Sequence, residues 1–197
     1  MAENSPVIQY IEENGPVSVA QFMELCLSHP QYGYYMTRDP FGIQGDFVTS
    51  CEISQLFGEM IGLYFLHIFE QNQTAICLVE LGPGRGTLMS DLLRTVKIRP
   101  RFLQNASVHL VETSPVLTAI QQGILSGNNL ILWHKTFDEA LEDKPLFLIA
   151  NEFLDALPSH QYVKTSMGWC ERGVMALEGT LHWCLLEGGE YPKNSLD

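Results

Sequence analysis

The string Glu80-Leu81-Gly82-Pro83-Gly84-Arg85-Gly86 carries the clearest chemical potential in the sequence. Glycines in a turn let the backbone approach a ligand closely, and a helix opening behind them offers free N–H groups. A bare GxGxG spacing says little. Here a nearly continuous apolar run, Ala75–Leu81, leads into the turn and a helical pattern over Thr87–Lys97 follows it, the context a ligand cradle requires. Glu80 bears on the kind of ligand. A carboxylate at that point repels a pyrophosphate but can organise the loop and face an ammonium group. The next apolar strand, Val108–Glu112, ends in an acid 32 residues after Glu80, placed to accept two ribose hydroxyls. A further strand, Pro145–Ala150, runs into Asn151-Glu152-Phe153-Leu154-Asp155-Ala156-Leu157-Pro158. Glu152 and Asp155 are three residues apart, so on a helical turn they share a face. Two carboxylates so placed can grip a guanidinium and draw off its proton. The competing reading makes Asp155 a cap and Glu152 a solvated acid.

These residues need a scaffold. Strands at Ala75–Leu81, Val108–Glu112, Leu130–Trp133 and Pro145–Ala150 alternate with helices at Thr87–Lys97, Pro115–Leu125 and Phe137–Leu141. That βα alternation predicts an α/β fold, a doubly wound parallel sheet with helices on both faces. Ligands of such sheets lie outside the carboxyl ends of the strands, where the glycine turn, Glu112 and Asn151 all fall. Ahead of the sheet, helices are expected at Pro6–Glu13 and Val19–Ser28, the second capped by Ser18 with Gln21 as its reciprocal partner. Thr37–Ser50 reads as an ordered loop, and Tyr32, Tyr34, Tyr35 and Asp46 either roof the site or pack in a core. A long helix from Glu52 to about Glu70, capped by Thr49 or Ser50, should bury the face carrying Ile53, Leu56, Phe57, Met60, Leu63 and Tyr64. Segments Gln161–Thr165, Trp169–Ala176 and Thr180–Leu186 predict an antiparallel meander, split at Ser166-Met167-Gly168 and Glu178-Gly179, with a polar frayed tail from Gly188. The expected division is an N-terminal helical and loop segment, 1–70, that covers the site, and a partial ligand-binding domain, 71–197.

Composition sets the outer bounds. Of 197 residues, 46 % are hydrophobic and 17 % charged, values of a globular chain with a real core. A net charge of −12 disfavours a nucleic-acid interface and suits a basic partner, or merely keeps the protein soluble. The five cysteines are odd in number and show no CxxC spacing, which argues against a disulfide framework and a zinc site and fits a reducing compartment. The N-terminal residues resemble neither a secretory nor a mitochondrial leader, and no run approaches a membrane span, so the expected location is the cytoplasm, with the mitochondrial matrix as the alternative. His109, His134 and His160 stand singly and read as surface or capping residues; no metal triad and no GxSxG is visible.

At this point the chain resembles a known family. His29-Pro30, Tyr32-Gly33-Tyr34-Tyr35, Gly45-Asp46-Phe47-Val48-Thr49-Ser50, Glu52-Ile53-Ser54-Gln55-Leu56-Phe57-Gly58-Glu59, the glycine loop, His109-Leu110-Val111-Glu112-Thr113-Ser114-Pro115 and Asn151–Pro158 occur in order. Together they are similar to the MidA family of S-adenosylmethionine-dependent methyltransferases, over about Ile8–Val174. That family includes a mitochondrial complex I assembly factor that methylates an arginine. The resemblance implies a Rossmann-like class I methyltransferase fold, S-adenosylmethionine as cofactor and a protein arginine acceptor. It implies cofactor contacts from Gly82, Gly84, Gly86 and Glu112, to which Glu80 and Asn151 are added from their positions, with Glu152 and Asp155 as catalytic candidates. Cys51 stands where the family usually has proline, which removes a φ restraint at the start of the long helix. The family chain is roughly twice as long, so a homodimer or a missing C-terminal half is the expected structural partner. A nicotinamide dehydrogenase fits less well, because its third glycine would fall at Thr87. A non-catalytic assembly protein that keeps the fold is the other alternative.

Overall fold

The computed structural model describes residues 5–41, 45–47, 49–128, 130–166 and 168–186. Helix α1 (Pro6–Asn14), the short strand β1 (Val17–Ser18) and α2 (Val19–Leu27) open the chain. Helices α3 (Tyr34–Thr37), α4 (Ser50–Ile53) and α5 (Leu56–Asn72) follow. Then come β2 (Ile76–Leu81), α6 (Thr87–Val96), α7 (Pro100–Asn105), β3 (Ala106–Val111) and α8 (Pro115–Ile124). Strand β4 (Ile131–His134), α9 (Phe137–Ala140) and β5 (Leu146–Ile149) complete the alternating part. A 3-10 turn at Leu154–Ala156 precedes β6 (Tyr162–Thr165), β7 (Gly168–Leu177) and β8 (Thr180–Leu186). The chain folds as two compact units, Tyr35–Asp155 and Met1–Tyr34 with Ala156–Asp197. Neither boundary falls at residue 70, because α5 packs into the unit that holds the parallel sheet.

In the unit 35–155 the sheet has the order β4-β3-β2-β5, and every pairing is parallel. All six residues of β2 are buried, as a central strand covered on both faces requires. Leu78, Leu92, Phe102, Val108 and Leu110, all with essentially no exposure, form the main core together with Leu66 and Phe69 of α5. The register sets Glu80 opposite Leu110 and Ile149, so the ends of β2, β3 and β5 lie side by side.

The long helix departs from the sequence reading in two ways. It breaks at Ser54, whose extended backbone (φ −154°) separates α4 from α5, and Thr49 occupies the cap position without a side-chain bond. Its buried face is also only partly the expected one: Phe57 packs against the core, but the other five positions do not lie buried. Ile53, Leu56, Met60, Leu63 and Tyr64 are 44–72 % exposed. The face against α6 carries Gly58, Gly62, Leu66 and Phe69 instead. A Cβ at Gly58 would lie 2.8 Å from Asp91 Cβ, and one at Gly62 would lie 3.2 Å from the Leu92 carbonyl oxygen. At Gly58 the approach is too close for a side chain, at Gly62 a methyl would need its neighbours to give by a few tenths of an ångström, and apolar periodicity does not register glycine.

The other unit is a small antiparallel sheet. β6, β7 and β8 form the expected meander, and β1 adds to β7 through Val17 opposite Val174. Val7, Ile11, Val17 and Val174 make its core, and Tyr32 packs against that core with its ring stacked on His29. Ser18 and Gln21 form the expected capping box, each bond 3.1 Å long. Glu178 (φ +49°) and Gly179 (φ +72°) make the β7–β8 turn with two left-handed residues, as a tight hairpin demands. Met167 and the tail from Gly188 lie outside the described residues.

Candidate functional site

The sheet buries Glu80 at the end of β2, 3 % exposed, and its Oε2 has no hydrogen-bond partner. Burial alone pushes this carboxyl up to about 8, so in the free protein it carries a proton at neutral pH. The turn behind it needs glycine for two separate reasons at Gly82. Its φ is +58°, and a Cβ there would lie 2.5 Å from the Phe153 ring. Gly84 (φ +56°) lies under Phe41, whose ring would be 3.3 Å from a Cβ. Gly86 (φ +85°) starts α6 and packs against Leu125 and Gln121. The loop is tethered through its polar side chains. Arg85 pairs with Asp39 and Glu52 at 3.4 Å each, and Thr87 Oγ1 donates to Glu52 Oε1 at 2.6 Å.

Beyond β3, Glu112 is 8 % exposed and has a donor on each oxygen. Its Oε1 accepts from the Ser114 backbone N–H at 2.8 Å, and its Oε2 accepts from Gln121 Nε2 at 3.2 Å. Burial pushes its carboxyl up, while those two donors, then the Thr113 backbone N–H and the Lys135 charge, pull it back. Ser114 also caps α8 through Leu117 N–H and donates to the Tyr35 carbonyl at 2.6 Å.

At the end of β5, Asn151 and Glu152 enter the same cleft as the glycine loop. Phe41, Thr49, Cys51, Glu52, Glu80, Gly82, Pro83 and Gly84 line it with them, around roughly 430 Å³ of empty space. Asn151 Nδ2 lies 3.7 Å from Cys51 Sγ. Burial, with the neighbouring Glu80, pushes that thiol up to about 11, so it is un-ionised at neutral pH.

The expected pair of catalytic acids is arranged differently from the sequence reading. Glu152 sits in a left-handed bend (φ +49°) ahead of the 3-10 turn that carries Asp155, so the two do not share one helical turn. Glu152 lines the cleft, whereas Asp155 is exposed and does not. Both charges nonetheless reach the Tyr35 hydroxyl, which burial first, then Asp155 and Glu152, push above the usual phenol range.

His109 also departs from the reading of an isolated surface residue. It is 2 % exposed, its Nδ1 is 2.9 Å from His134 Nε2, and its Nε2 is 2.9 Å from Glu142 Oε1. Burial lowers its pKa, so the ring is held neutral. Its partners are 25 and 33 residues away, which no local pattern reveals. Phe41, Cys51 and Glu52 line the cleft without having been assigned to it from sequence, and Gln121 stands behind it on Glu112 and the Gly84 carbonyl. Glu52 and Cys51 lie in a motif that was noticed, whereas Gln121 looks like any polar position on an amphipathic helix.

Residues 60–195, more than half of the chain, match the family described as "Putative S-adenosyl-L-methionine-dependent methyltransferase". The chain belongs to this family. Among its relatives is the protein named "Protein arginine methyltransferase NDUFAF7, mitochondrial". The Homo sapiens form is 39 % identical over 86 % of this chain and 45 % of its own length. The Xenopus laevis form is 40 % identical over 82 % of this chain and 42 % of its own. A solved structure of a COG1565 superfamily member from Burkholderia thailandensis, bound to S-adenosyl-homocysteine, superposes with a TM-score of 0.73 at 27 % identity. That likeness covers 91 % of this chain and 48 % of the other. The Rossmann-like methyltransferase fold is therefore shown, and the chain spans about half the length of the curated relatives it matches.

Proposed function

We propose that this chain binds S-adenosyl-L-methionine at the carboxyl ends of β2 and β3, and that it serves methyl transfer to an arginine of a protein substrate. The observation that carries the reading is the buried, unpartnered Glu80 Oε2 facing a cleft walled by Gly82 and Gly84. An orphaned buried carboxyl is costly unless a partner arrives, and the cofactor's ammonium is such a partner. Glu112 has acceptor capacity left on each oxygen for the ribose hydroxyls, and the positive-φ glycines leave room for the chain between them. The residues present therefore fit the group. When bound, the cofactor supplies an electrophilic methyl carried on a sulfonium.

Asn151 and Glu152 edge the cleft, so they orient the acceptor and Glu152 is placed to hold a guanidinium and take its proton. Asp155 acts from further out, through its charge on the same neighbourhood. The names of the relatives support an arginine acceptor, and they favour a mitochondrial location over the cytoplasm. A non-catalytic binding protein is the second reading, favoured by the exposed position of Asp155. Calorimetry with S-adenosyl-homocysteine and transfer of labelled methyl to an arginine-bearing peptide test the two together. Binding with transfer supports the first reading, and binding without transfer supports the second. Absence of binding contradicts both.

A further inference from the structure

Gln121 is the most unusual polar residue in the unit that holds the site. It lies in the middle of α8 and has no exposure at all. Buried amides persist when their hydrogen bonds are made, and every polar atom of this one is used. Nε2 donates to the Gly84 carbonyl at 2.8 Å and to Glu112 Oε2 at 3.2 Å, and Oε1 accepts from the Trp133 indole N–H at 3.1 Å. The indole fixes which way the amide points. Turned over, its oxygen would face two oxygens and its NH₂ would face an N–H.

We propose that Gln121 is a positioning residue that makes Glu112 a receptor for a vicinal diol. The inference rests on the reading that Glu112 meets the ribose of the cofactor. Each carboxylate oxygen has two acceptor positions. Ser114 N–H occupies one on Oε1 and Gln121 occupies one on Oε2. Neither bond saturates its oxygen, and with the Thr113 backbone N–H also acting on the carboxylate the acceptor capacity that remains suits adjacent hydroxyls. Ser114 and Gln121 stand seven residues apart, two helical turns, so a single face of α8 supplies both donors or their anchors. Through the Gly84 carbonyl, the same amide ties this receptor to the glycine loop. Diol and amino-acid ends of the ligand thus meet groups held at one spacing by one side chain.

The test compares S-adenosyl-homocysteine with its 2′-deoxy analogue by calorimetry. The wild type should bind the parent roughly tenfold more tightly than the analogue, one charge-assisted hydrogen bond. Gln121→Met keeps the volume and removes all three bonds. It should weaken the parent roughly tenfold and the analogue much less, so that the ratio collapses toward one. Trp133→Phe leaves Gln121 in place but frees its orientation and should lower the ratio part of the way. A folded Gln121→Met protein with an unchanged ratio, or one that weakens both ligands equally, overturns the proposal while leaving the site standing. Should Gln121→Met not fold, the ratio for Trp133→Phe decides, and an unchanged value overturns it. A wild type that does not bind the parent, or does not discriminate, overturns both the proposal and the reading of Glu112 beneath it.

Discussion

The carboxyl ends of β2 and β3 each bury a glutamate, and the two are treated in opposite ways. Glu112 has a hydrogen-bond donor on each oxygen, fixed by α8. Glu80 leaves one oxygen without any partner, in a site buried enough to push its carboxyl to about 8. On the proposed reading the first receives neutral hydroxyls, which bring no charge to offset desolvation. The second is unfinished and waits for a cation. The difference between them is the reason the proposal gives each a different part of the ligand.

The largest effect should come from the turn that separates them. Gly82→Val forces a β-branched residue to φ +58° and into the Phe153 ring. S-adenosyl-homocysteine affinity should fall roughly 100-fold or more, whereas Gly123→Ala, with nothing within 4 Å of its Cβ, should leave binding unchanged. Next comes Glu112→Gln. One of its two donors then meets an NH₂ instead of an oxygen, so affinity should drop about 10- to 100-fold at every pH. Glu80→Gln should cost about tenfold at pH 7, because the wild type must first give up its proton, and the loss should grow as pH approaches 8. The smallest effect is on the stability of the free protein. The folded-state pKa of Glu80 is raised, so its stabilising contribution is full below about 4.5 and is lost as pH rises through about 8. Thermal melts from pH 4.5 to 8 should show this decline in the wild type, and Glu80→Gln should lack that component.

Much of this arrangement was legible in the sequence, and the limits have physical causes. The four parallel strands, the glycine turn and Glu112 were readable because buried strands and helix starts leave local patterns. The meander was readable from its turns. Helix α5 misled because its interface is made of Gly58 and Gly62, while Met60 and Tyr64 face outward. A Gly-x-x-x-Gly spacing was the signal available there. Gln121 and the His109–His134–Glu142 chain were not readable, since their partners arrive from distant elements and nothing in residue type distinguishes a buried amide from a solvated one. Glu152 lines the same cleft as the glycine loop but not on the expected helical turn, because a left-handed glutamate is a consequence of packing and not of propensity.

The central claim is that Glu80 holds a proton in the free protein and gives it up to pair with the ligand's ammonium. Proton release on binding tests it most directly. Titrations of S-adenosyl-homocysteine at pH 7, in two buffers of different ionisation enthalpy, should show close to one proton released by the wild type and none by Glu80→Gln. Binding by the wild type without proton release, or equal release by both proteins, would contradict the account.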